Sequence, residues 1–266
     1  MQAATTQYIR LSIDLAKRDL EAKHKRSLLG WLWLVLTPLC LLAIYTIVFG
    51  YIFGVSWNDP AHAESGGKIG FGLPFFVGLS VYLLVSDVVT SSAAIFVSKR
   101  TYVVKSPFPL WVIWLSNLLR ACAQGGISLL LLIAFAIMQE RLTWTGIAWA
   151  VPALLNVILF AAAASLLLSA IGPFIGDISE GFRLLLRVLF YATPIAYPLS
   201  MVPAPIREWY WFNPLTALIE PLRSAIVFGT SPAPERLFLA TFFSLSLLAL
   251  SSWIFNRLKG VVPDVV

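Results

Sequence analysis

Charged residues are scarce in this sequence of 266 residues. Aspartate, glutamate, lysine and arginine make up 12% of it and apolar residues 59%, and the mean hydropathy is +0.85. Soluble domains usually carry about 25% charged residues. A charge at the centre of a membrane helix costs at least ~2.5 kcal/mol, so this deficit indicates a chain whose solvent is the bilayer. Little sequence remains for a soluble catalytic domain.

Cysteine and histidine are also rare, with two residues of each type. Cys40 and Cys122 fall in apolar segments, where they are expected to pack as small apolar side chains. His62 and Glu64 are too few for a metal site, which normally needs three or four ligands. The sequence therefore predicts no metal centre.

Nucleotide-binding and catalytic motifs are absent from the sequence. Gly66-Gly67-Lys68 lacks both the earlier glycine and the following Ser or Thr of a phosphate loop. No serine elbow, zinc-binding helix or paired-carboxylate motif is present either. If the protein carries out powered transport, a partner must therefore supply the nucleotide site, and this chain is predicted not to be an enzyme.

Long apolar segments dominate the sequence instead. Residues 28–55 contain no charge, and about 20 apolar residues at 1.5 Å each span the ~30 Å hydrocarbon layer. A cleaved signal peptide would have an apolar region of only about 7–15 residues. Six predicted membrane spans cover residues 28–55, 69–97, 110–138, 147–171, 184–201 and 237–255. The expected fold is an all-α integral membrane protein, with residues 28–266 as its transmembrane domain.

Lysine and arginine predict the orientation. With the amino terminus inside, 13 of the 19 basic residues lie on the inner side and five on the outer side, and Arg120 lies within the membrane. This distribution satisfies the positive-inside rule. Both termini are therefore predicted to be cytoplasmic.

Residues 1–27 are predicted to form an amphipathic helix. Ile9, Ile13, Ala16 and Leu20 share one helical stripe, and the polar side includes basic residues. The candidate interfacial residues are Arg10, Lys17 and Arg18. Such a helix is expected in the cytoplasmic head-group layer, although a short helix bound to a partner protein is an alternative.

Two charges are predicted to lie inside the membrane. Asp87 and Arg120 both fall roughly 15 Å from the cytoplasmic edge of their spans. Their equal depth and opposite charge predict an ion pair, which would reduce the cost of burying each group. The alternative is that Arg120 faces a pathway and attracts phosphate.

A short basic segment, residues 98–109, connects the second and third spans on the inner side. Its prolines cannot continue the preceding helix and favour the start of the next. A protruding short helix here would suit contact with a cytoplasmic motor, whereas the alternative is an ordinary positive-inside loop. The candidate contact residues are Lys99, Arg100, Lys105, Pro107 and Phe108.

Between the fifth and sixth spans, proline and aromatic residues are concentrated on the outer side. Residues 209–228 are apolar but contain Glu220 and Arg223, which a lipid-facing span would not tolerate. This predicts a re-entrant hairpin, with an ordinary aromatic belt at the interface as the alternative. The candidate exit-gate residues are Pro194, Tyr197, Pro198, Trp209, Trp211, Asn213, Pro214, Glu220 and Arg223.

Several motifs together resemble the membrane subunit of type 2 ABC exporters for polysaccharides, the family that exports O-antigen, capsule and teichoic acid. They run in the family's order along nearly the whole chain: Arg18-Asp19-Leu20, Lys25-Arg26-Ser27-Leu28-Leu29-Gly30-Trp31-Leu32-Trp33, Thr37-Pro38-Leu39, Lys105-Ser106-Pro107-Phe108-Pro109, Pro194-Ile195-Ala196-Tyr197-Pro198, and Asn213-Pro214-Leu215 with Arg223. Near the end of the fourth span the family often has Arg-Asp, where this sequence has Gly176-Asp177.

The resemblance implies a homodimer in the bacterial cytoplasmic membrane with two separate ATPase subunits, which would hold ATP and Mg. It implies that the amino-terminal helix and the 99–109 segment relay ATPase movement, and that outer re-entrant helices gate the exit. The implied cargo is a polyprenyl-pyrophosphate-linked glycan, with O-antigen as the expected one.

Three alternatives remain open at this point. A membrane polymerase or ligase acting on a polyprenyl-linked sugar could use Arg207, Glu208 and Arg223. An ABC exporter of a drug or lipid would share the general layout. A secondary transporter would favour several buried ionisable residues and an inverted repeat, and neither is visible in the sequence.

Overall fold

The computed structural model of the chain describes residues 2–25, 28–58, 68–105 and 109–266. Among the predicted site residues, Pro107 and Phe108 lie outside this described part. The sequence motifs at Arg26-Ser27, His62, Glu64, Gly66-Gly67 and Ser106 also lie outside it.

The amino-terminal half contains α1 and the first two apolar helices. Helix α1 (Gln2–His24) is followed by a 3-10 turn (Gly30–Leu32), α2 (Trp33–Tyr45) and a π-helical extension of α2 (Thr46–Ile52). Two short strands, β1 (Trp57–Asn58) and β2 (Lys68–Ile69), pair antiparallel with Trp57 opposite Ile69. They lead into α3 (Gly72–Ala93).

The remainder of the described chain is helical and contains three further long helices. Its elements are α4 (Ile95–Ser98), α5 (Arg100–Lys105), α6 (Leu110–Met138), α7 (Trp144–Ile171), α8 (Ile178–Ala192), α9 (Ala204–Arg207), α10 (Pro214–Ile226), α11 (Pro234–Leu258) and α12 (Val262–Val265). Short 3-10 turns extend α7 (Gly172–Phe174) and flank α9 (Leu199–Met201 and Glu208–Phe212).

Five helical stretches within the described residues are long and apolar enough to cross a membrane. They are Gly30–Ile52, Gly72–Ala93, Leu110–Met138, Trp144–Phe174 and Pro234–Leu258. They coincide with the first, second, third, fourth and sixth predicted spans. The expectation of an all-α, multi-pass membrane protein is confirmed, whereas the count of six spans stays a prediction.

The predicted fifth span takes a different form. Instead of one helix over residues 184–201, α8 begins at Ile178 and ends at Ala192 after 15 residues, or about 22 Å. This is shorter than the ~30 Å hydrocarbon layer. The helix ends there because Pro194 disfavours helical backbone at Thr193, whose φ and ψ are −103° and 142°. The apolar residues after Ala192 belong to a turn-rich segment.

Helix α3 forms the centre of the bundle. About 72% of its apolar window is buried, against 11% for the stretch that contains α2 and 17% for α11. It packs against α6, α7 and α10. Its approach to α6 depends on Gly125, where a β-carbon would lie 2.3 Å from Leu84 Cδ1. The outer helices therefore keep large uncovered faces, while α3 supplies the core.

Helix α1 packs along α6 in the same direction. Near its start the Tyr8 ring meets Trp111 edge-on, with centroids 6.1 Å apart. Near its end Lys23 Nζ donates to Gln124 Oε1 at 2.9 Å. The face towards the protein buries Ser12, whereas Ile13 of the predicted apolar stripe is exposed. The predicted helix is present, with part of its apolar surface left uncovered.

Candidate coupling, charge and exit sites

The predicted intramembrane charges lie next to each other in the bundle. Arg120 Nη1 of α6 is 3.0 Å from Asp87 Oδ2 of α3. The same guanidinium donates to Asn117 Oδ1 at 3.2 Å through Nη2. Arg120 is buried and Asp87 is largely covered, so each charge depends on the other for compensation.

Lys23, at the end of α1, is a third member of this charge cluster. Its Nζ lies 3.7 Å from Asp87 Oδ1. The two residues face a cavity of about 380 Å³ between α1, α2, α3 and α6, which Gln124 and Thr37 also line. A carboxylate in the bundle thus bonds a cation on α6 and contacts a second cation on the amino-terminal helix.

A chain of polar contacts continues from Arg120 across the bundle. Asn117 Nδ2 donates to Ser91 and Ser92 Oγ, each at 3.0 Å. The hydroxyl groups of Ser92 and Ser165 are 2.7 Å apart, with either as donor. The contacts join α3, α6 and α7, so a shift of Arg120 would alter the packing of three helices.

The basic connection between α3 and α6 folds into the short helices α4 and α5. Val103 of α5 is buried in an apolar cluster with Phe96, Phe255 and Val262, which anchors α5 to the bundle and to α12. Arg100 and Lys105 are exposed. A short helix is therefore present where the sequence predicts one, up to Lys105, and it packs on the bundle through Val103.

Lys99 connects this segment to the amino-terminal helix. Its ammonium group bonds the Asp19 carboxylate of α1, and both side chains are partly covered. The other candidate residues of α1, Arg10, Lys17 and Arg18, are exposed. The ion pair therefore links the connection between α4 and α5 directly to α1.

Arg223 is the centre of a second cluster of buried polar contacts, around α10. Its side chain is fully buried and bonds the Glu220 carboxylate one helical turn earlier. The guanidinium also donates to Pro74 O at 3.1 Å and to Pro194 O at 3.0 Å. These bonds connect α10 to the start of α3 and to the segment after α8.

The Arg223 guanidinium is closely packed between Gly78 and Trp57. A β-carbon at Gly78 would lie 3.1 Å from Arg223 Nη2 and 3.2 Å from Ile195 Cγ2. Trp57 of β1 covers the guanidinium with its ring centroid 5.4 Å away. The turn around Ile195, the β-hairpin and α10 are thus packed on one buried cation.

Asn213 begins α10 and binds it to the end of α8. Its Oδ1 accepts from Leu215 N at 3.0 Å, as an N-cap residue does, and its Nδ2 donates to Thr193 Oγ1 at 2.8 Å. At the other end of α10, Gly229 O accepts from Thr145 Oγ1 at 2.9 Å. Helix α10 therefore extends from the end of α8 to the first turn of α7.

The remaining candidate exit residues surround this connection. Tyr197 donates to Tyr191 O at 3.0 Å and lies 3.5 Å from the Tyr210 hydroxyl. Trp209 is exposed beside Phe212, and Trp211 is partly covered. Pro194, Pro198 and Pro214 lie at the breaks between helical segments. The structure thus gathers the predicted residues in one region around α10.

Two of the three polar residues of the enzyme alternative, Arg207 and Arg223, make structural contacts, whereas Glu208 is exposed. Arg207 donates to Val202 O at 2.9 Å and to Ser200 O at 3.0 Å, in the segment that precedes α9. The guanidinium donors of Arg223 are already occupied by the contacts described above. Within the described residues, no group of three His, Cys, Asp or Glu side chains is placed to hold a metal ion.

Comparison of the sequence with known families identifies the family of this chain. Residues 14–227 match the family described as ABC-2 type transporter, which covers four-fifths of the chain. The chain belongs to this ABC-2 transporter family. The matched region runs from α1 through α10 and includes the charge cluster, the Lys99 ion pair and the Arg223 centre.

Individual ABC-2 relatives are similar over most of their length. The O-antigen export system permease protein RfbA of Klebsiella pneumoniae is 25% identical over 260 residues, 96% of this chain and 95% of that protein. The RfbA protein of Myxococcus xanthus is 27% identical, covering 94% and 93%. The polysialic acid transport protein KpsM of Escherichia coli is 23% identical, covering 80% and 79%.

Family membership makes this ABC-2 chain a transport subunit of a membrane transporter, in agreement with the prediction that it is not an enzyme. Sequence reasoning missed Lys23, Asn117 and Trp57 as members of its polar clusters. Lys23 could have been suspected from its place at the end of the amphipathic helix. Nothing in the sequence pairs Trp57 with Arg223, because 166 residues separate them.

Proposed function

We propose that this chain is the membrane subunit of an ATP-driven exporter that moves a polyprenyl-pyrophosphate-linked polysaccharide, O-antigen, across the bacterial cytoplasmic membrane. The observation that carries this proposal is similarity over nearly full length to three proteins named O-antigen export permeases. Two polysialic acid transport proteins are similar over about four-fifths of the chain, which supports a glycan as the class of cargo.

Two copies of the chain enclose the path. The stretch containing α2 is only 11% buried, and Ile44, Ile47 and Tyr51 are exposed on it. Helix α8 exposes both apolar Val188 and charged Arg187. A face of mixed polarity suits a water-containing channel between two subunits better than lipid.

Two cytoplasmic ATPase subunits, which hold ATP and Mg, drive this dimer. They contact α5 and the residues that follow it, including Pro107 and Phe108 in the sequence. Exposed Arg100 and Lys105 supply positive charge at this contact. The Lys99 to Asp19 ion pair transmits the movement to α1, and Lys23 transmits it to Asp87 and Arg120.

The region around α10 gates the outer exit. The breaks at Pro194, Pro198 and Pro214 divide it into short segments that can move as units. Arg223 and Glu220 keep these segments together in the closed state. Tyr197, Trp209 and Trp211 supply aromatic surface, which stacks on sugar rings.

Deletion of the gene in its native host tests this function. We expect the polyprenyl-linked glycan to accumulate inside the cell and to disappear from the surface, with restoration by the wild-type gene. Normal surface glycan in the deletion strain would contradict the proposed cargo. If the accumulated glycan has its normal length, the deletion has removed transport and not polymerisation.

A further inference from the structure

A second cavity opens on the face of α11 that the described chain leaves uncovered. It measures about 310 Å³ and lies between α7, α10 and α11. Among its lining residues are Arg236, Leu239 and Phe243 of α11, Phe160 of α7, Leu218 of α10, and Trp211. It is separate from the charge cluster, the Lys99 ion pair and the Arg223 centre, and it adjoins the proposed exit gate only through Trp211 and Pro214, which line one side of it.

Arg236 lies at the mouth of this cavity with its guanidinium available. Its Cζ lies over the Trp211 ring, 4.0 Å from the centroid, and a cation–π contact of this kind does not use the N–H groups as hydrogen-bond donors to a ligand. In the part of the chain that the structure describes, no carbonyl or carboxylate accepts from this guanidinium. Glu235, its neighbour in sequence, does not line the cavity.

Below Arg236 the cavity is apolar. From Arg236 to Phe243 it extends seven residues along α11, about 10 Å into the hydrocarbon layer if α11 crosses the membrane. Ser244 at its base already donates to Ala240 O at 2.9 Å, so it offers no free donor. Leu239 and Phe243 are exposed as well as lining, which makes the cavity continuous with the lipid-facing surface of α11.

We propose that this cavity binds an anionic glycerophospholipid of the leaflet in which α11 begins, the outer leaflet in the predicted topology. The phosphate accepts hydrogen bonds from Arg236, and one acyl chain fills the apolar space between Phe160, Leu239 and Phe243. Three features match such a lipid: a cation without a counter-charge at the interface, an indole beside it, and an apolar slot below it. The volume is at the lower end of the ~300–1,000 Å³ range of ligand cavities, which suits a single chain.

The proposal is tested with the full chain in phosphatidylcholine nanodiscs that contain a minor fraction of a photoactivatable lipid. Two probes carry the same diazirine-labelled acyl chain, one on phosphatidylglycerol and the other on phosphatidylcholine. We expect the phosphatidylglycerol probe to label the Leu239 to Ser244 segment about fivefold more strongly, the effect expected of one cation near an anionic lipid. Arg236→Gln should remove this preference.

Arg257→Gln is the matched control, because Arg257 lies at the opposite end of α11 and its guanidinium also stacks on a tryptophan, Trp253. This variant should keep the preference, and the melting temperatures of both variants should equal that of the wild type. Equal labelling by the two probes, an unchanged preference in Arg236→Gln, or its loss in both variants would overturn the proposal. Loss of the labelling preference in the presence of inorganic phosphate would also overturn the proposal. Crosslinks from this segment to a second protein chain instead of lipid would do the same.

Discussion

Buried charges in this protein depend on their partners. Asp87 and Arg120 share an ion pair inside the bundle, and removal of one member of such a pair typically costs about 3–5 kcal/mol, whereas replacing both can be far milder. Lys23 adds a second cation, but its side chain is half exposed and its distance to Asp87 is longer. The stability of this region is therefore expected to follow the Asp87 and Arg120 pair.

Arg120→Leu and Asp87→Leu are each expected to destabilise the detergent-solubilised protein by about 3–5 kcal/mol, because each leaves an uncompensated buried charge. The double substitution should cost clearly less than the sum of the two. Thermal unfolding of the four proteins in one detergent gives the coupling energy. The exposed Glu180 and Arg183 pair is the control, and its disruption should change stability by no more than about 1 kcal/mol.

A different role for Arg120 would show when export is measured beside thermal unfolding for the same variant. If Arg120→Leu leaves the melting temperature unchanged but abolishes export, Arg120 faces the cargo and the structural account of the pair is wrong.

Single residues show what sequence can and cannot predict at this scale. Asp87 and Arg120 could be paired from depth alone, since both lie at similar distances from the ends of neighbouring spans. Glu220 and Arg223 could be paired from helical spacing. The backbone carbonyls of Pro74 and Pro194 that bond Arg223 could not be foreseen, because carbonyls carry no signature in a sequence.

Among the elements, α1 and α5 are proposed to form the coupling unit. The Lys99 to Asp19 ion pair is a direct charged contact between α1 and the residue that precedes α5, and it is only partly exposed to solvent. Its loss should uncouple the two helices without unfolding either, because α1 also packs on α6 and Val103 anchors α5.

Lys99→Asp is expected to lower glycan export by about fivefold, the effect of losing ~1 kcal/mol of coupling, because two carboxylates would then repel. The exchanged variant, Asp19→Lys with Lys99→Asp, should recover much of the activity. Export and membrane abundance are measured together. Reversal of the exposed Lys17 is the control, and failure of the exchange to restore export would argue against this ion pair as the link.

The number of times the chain crosses the membrane depends on whether the region between α8 and α11 is re-entrant or spans the bilayer. In a variant in which Cys40 and Cys122 are replaced by serine, single cysteines at Trp209 and Thr230 should react with impermeant maleimide from the outer side only. Both positions are exposed, so reactivity reports location. A cysteine at exposed Lys105 is the inner control. Reaction of the Trp209 site from the cytoplasm would make α10 part of a true span and remove the proposed gate.

The elements also show where apolar patterns are insufficient. Hydrophobicity placed five helices that are long and apolar enough to cross a membrane, because a candidate span needs only length and a lack of charge. It misplaced the helix now seen as α8, whose first two turns carry Glu180 and Arg183. Those charges lie on a surface that the single chain leaves exposed. A search for continuous apolar residues therefore predicts the start of the helix too late.

The whole molecule is expected to function as a pair of subunits. Val188 of α8 and Phe238 of α11 are similarly exposed in the single chain, 57% and 70%. A cysteine at Val188 should form an intersubunit crosslink in native membranes with a short bifunctional reagent, whereas a cysteine at Phe238 should not. Gel mobility of the crosslinked chain gives the readout. Crosslinking through Phe238 alone would place the dimer contact on α11 and contradict the proposed channel.

At this scale the sequence predicted the class of the protein better than its geometry. Recurrent short motifs, such as Asn213-Pro214-Leu215, keep their order along the chain and are recognisable without a structure. Their role in the fold cannot be recognised in this way, because Asn213 acts by binding the distant Thr193 and by capping α10. Membership of the family was predictable from motif order, whereas the packing around α10 required coordinates.

The most direct test of the central claim is reconstituted transport. Proteoliposomes that contain this chain, its cytoplasmic ATPase and a radiolabelled polyprenyl-pyrophosphate-linked O-antigen are supplied with ATP on the side of the ATPase. The account predicts that the glycan becomes accessible to a glycosidase on the opposite side, that this requires ATP, and that the chain alone hydrolyses none. ATP hydrolysis by the complex without movement of the glycan, while a drug or an unmodified lipid is moved, would contradict it.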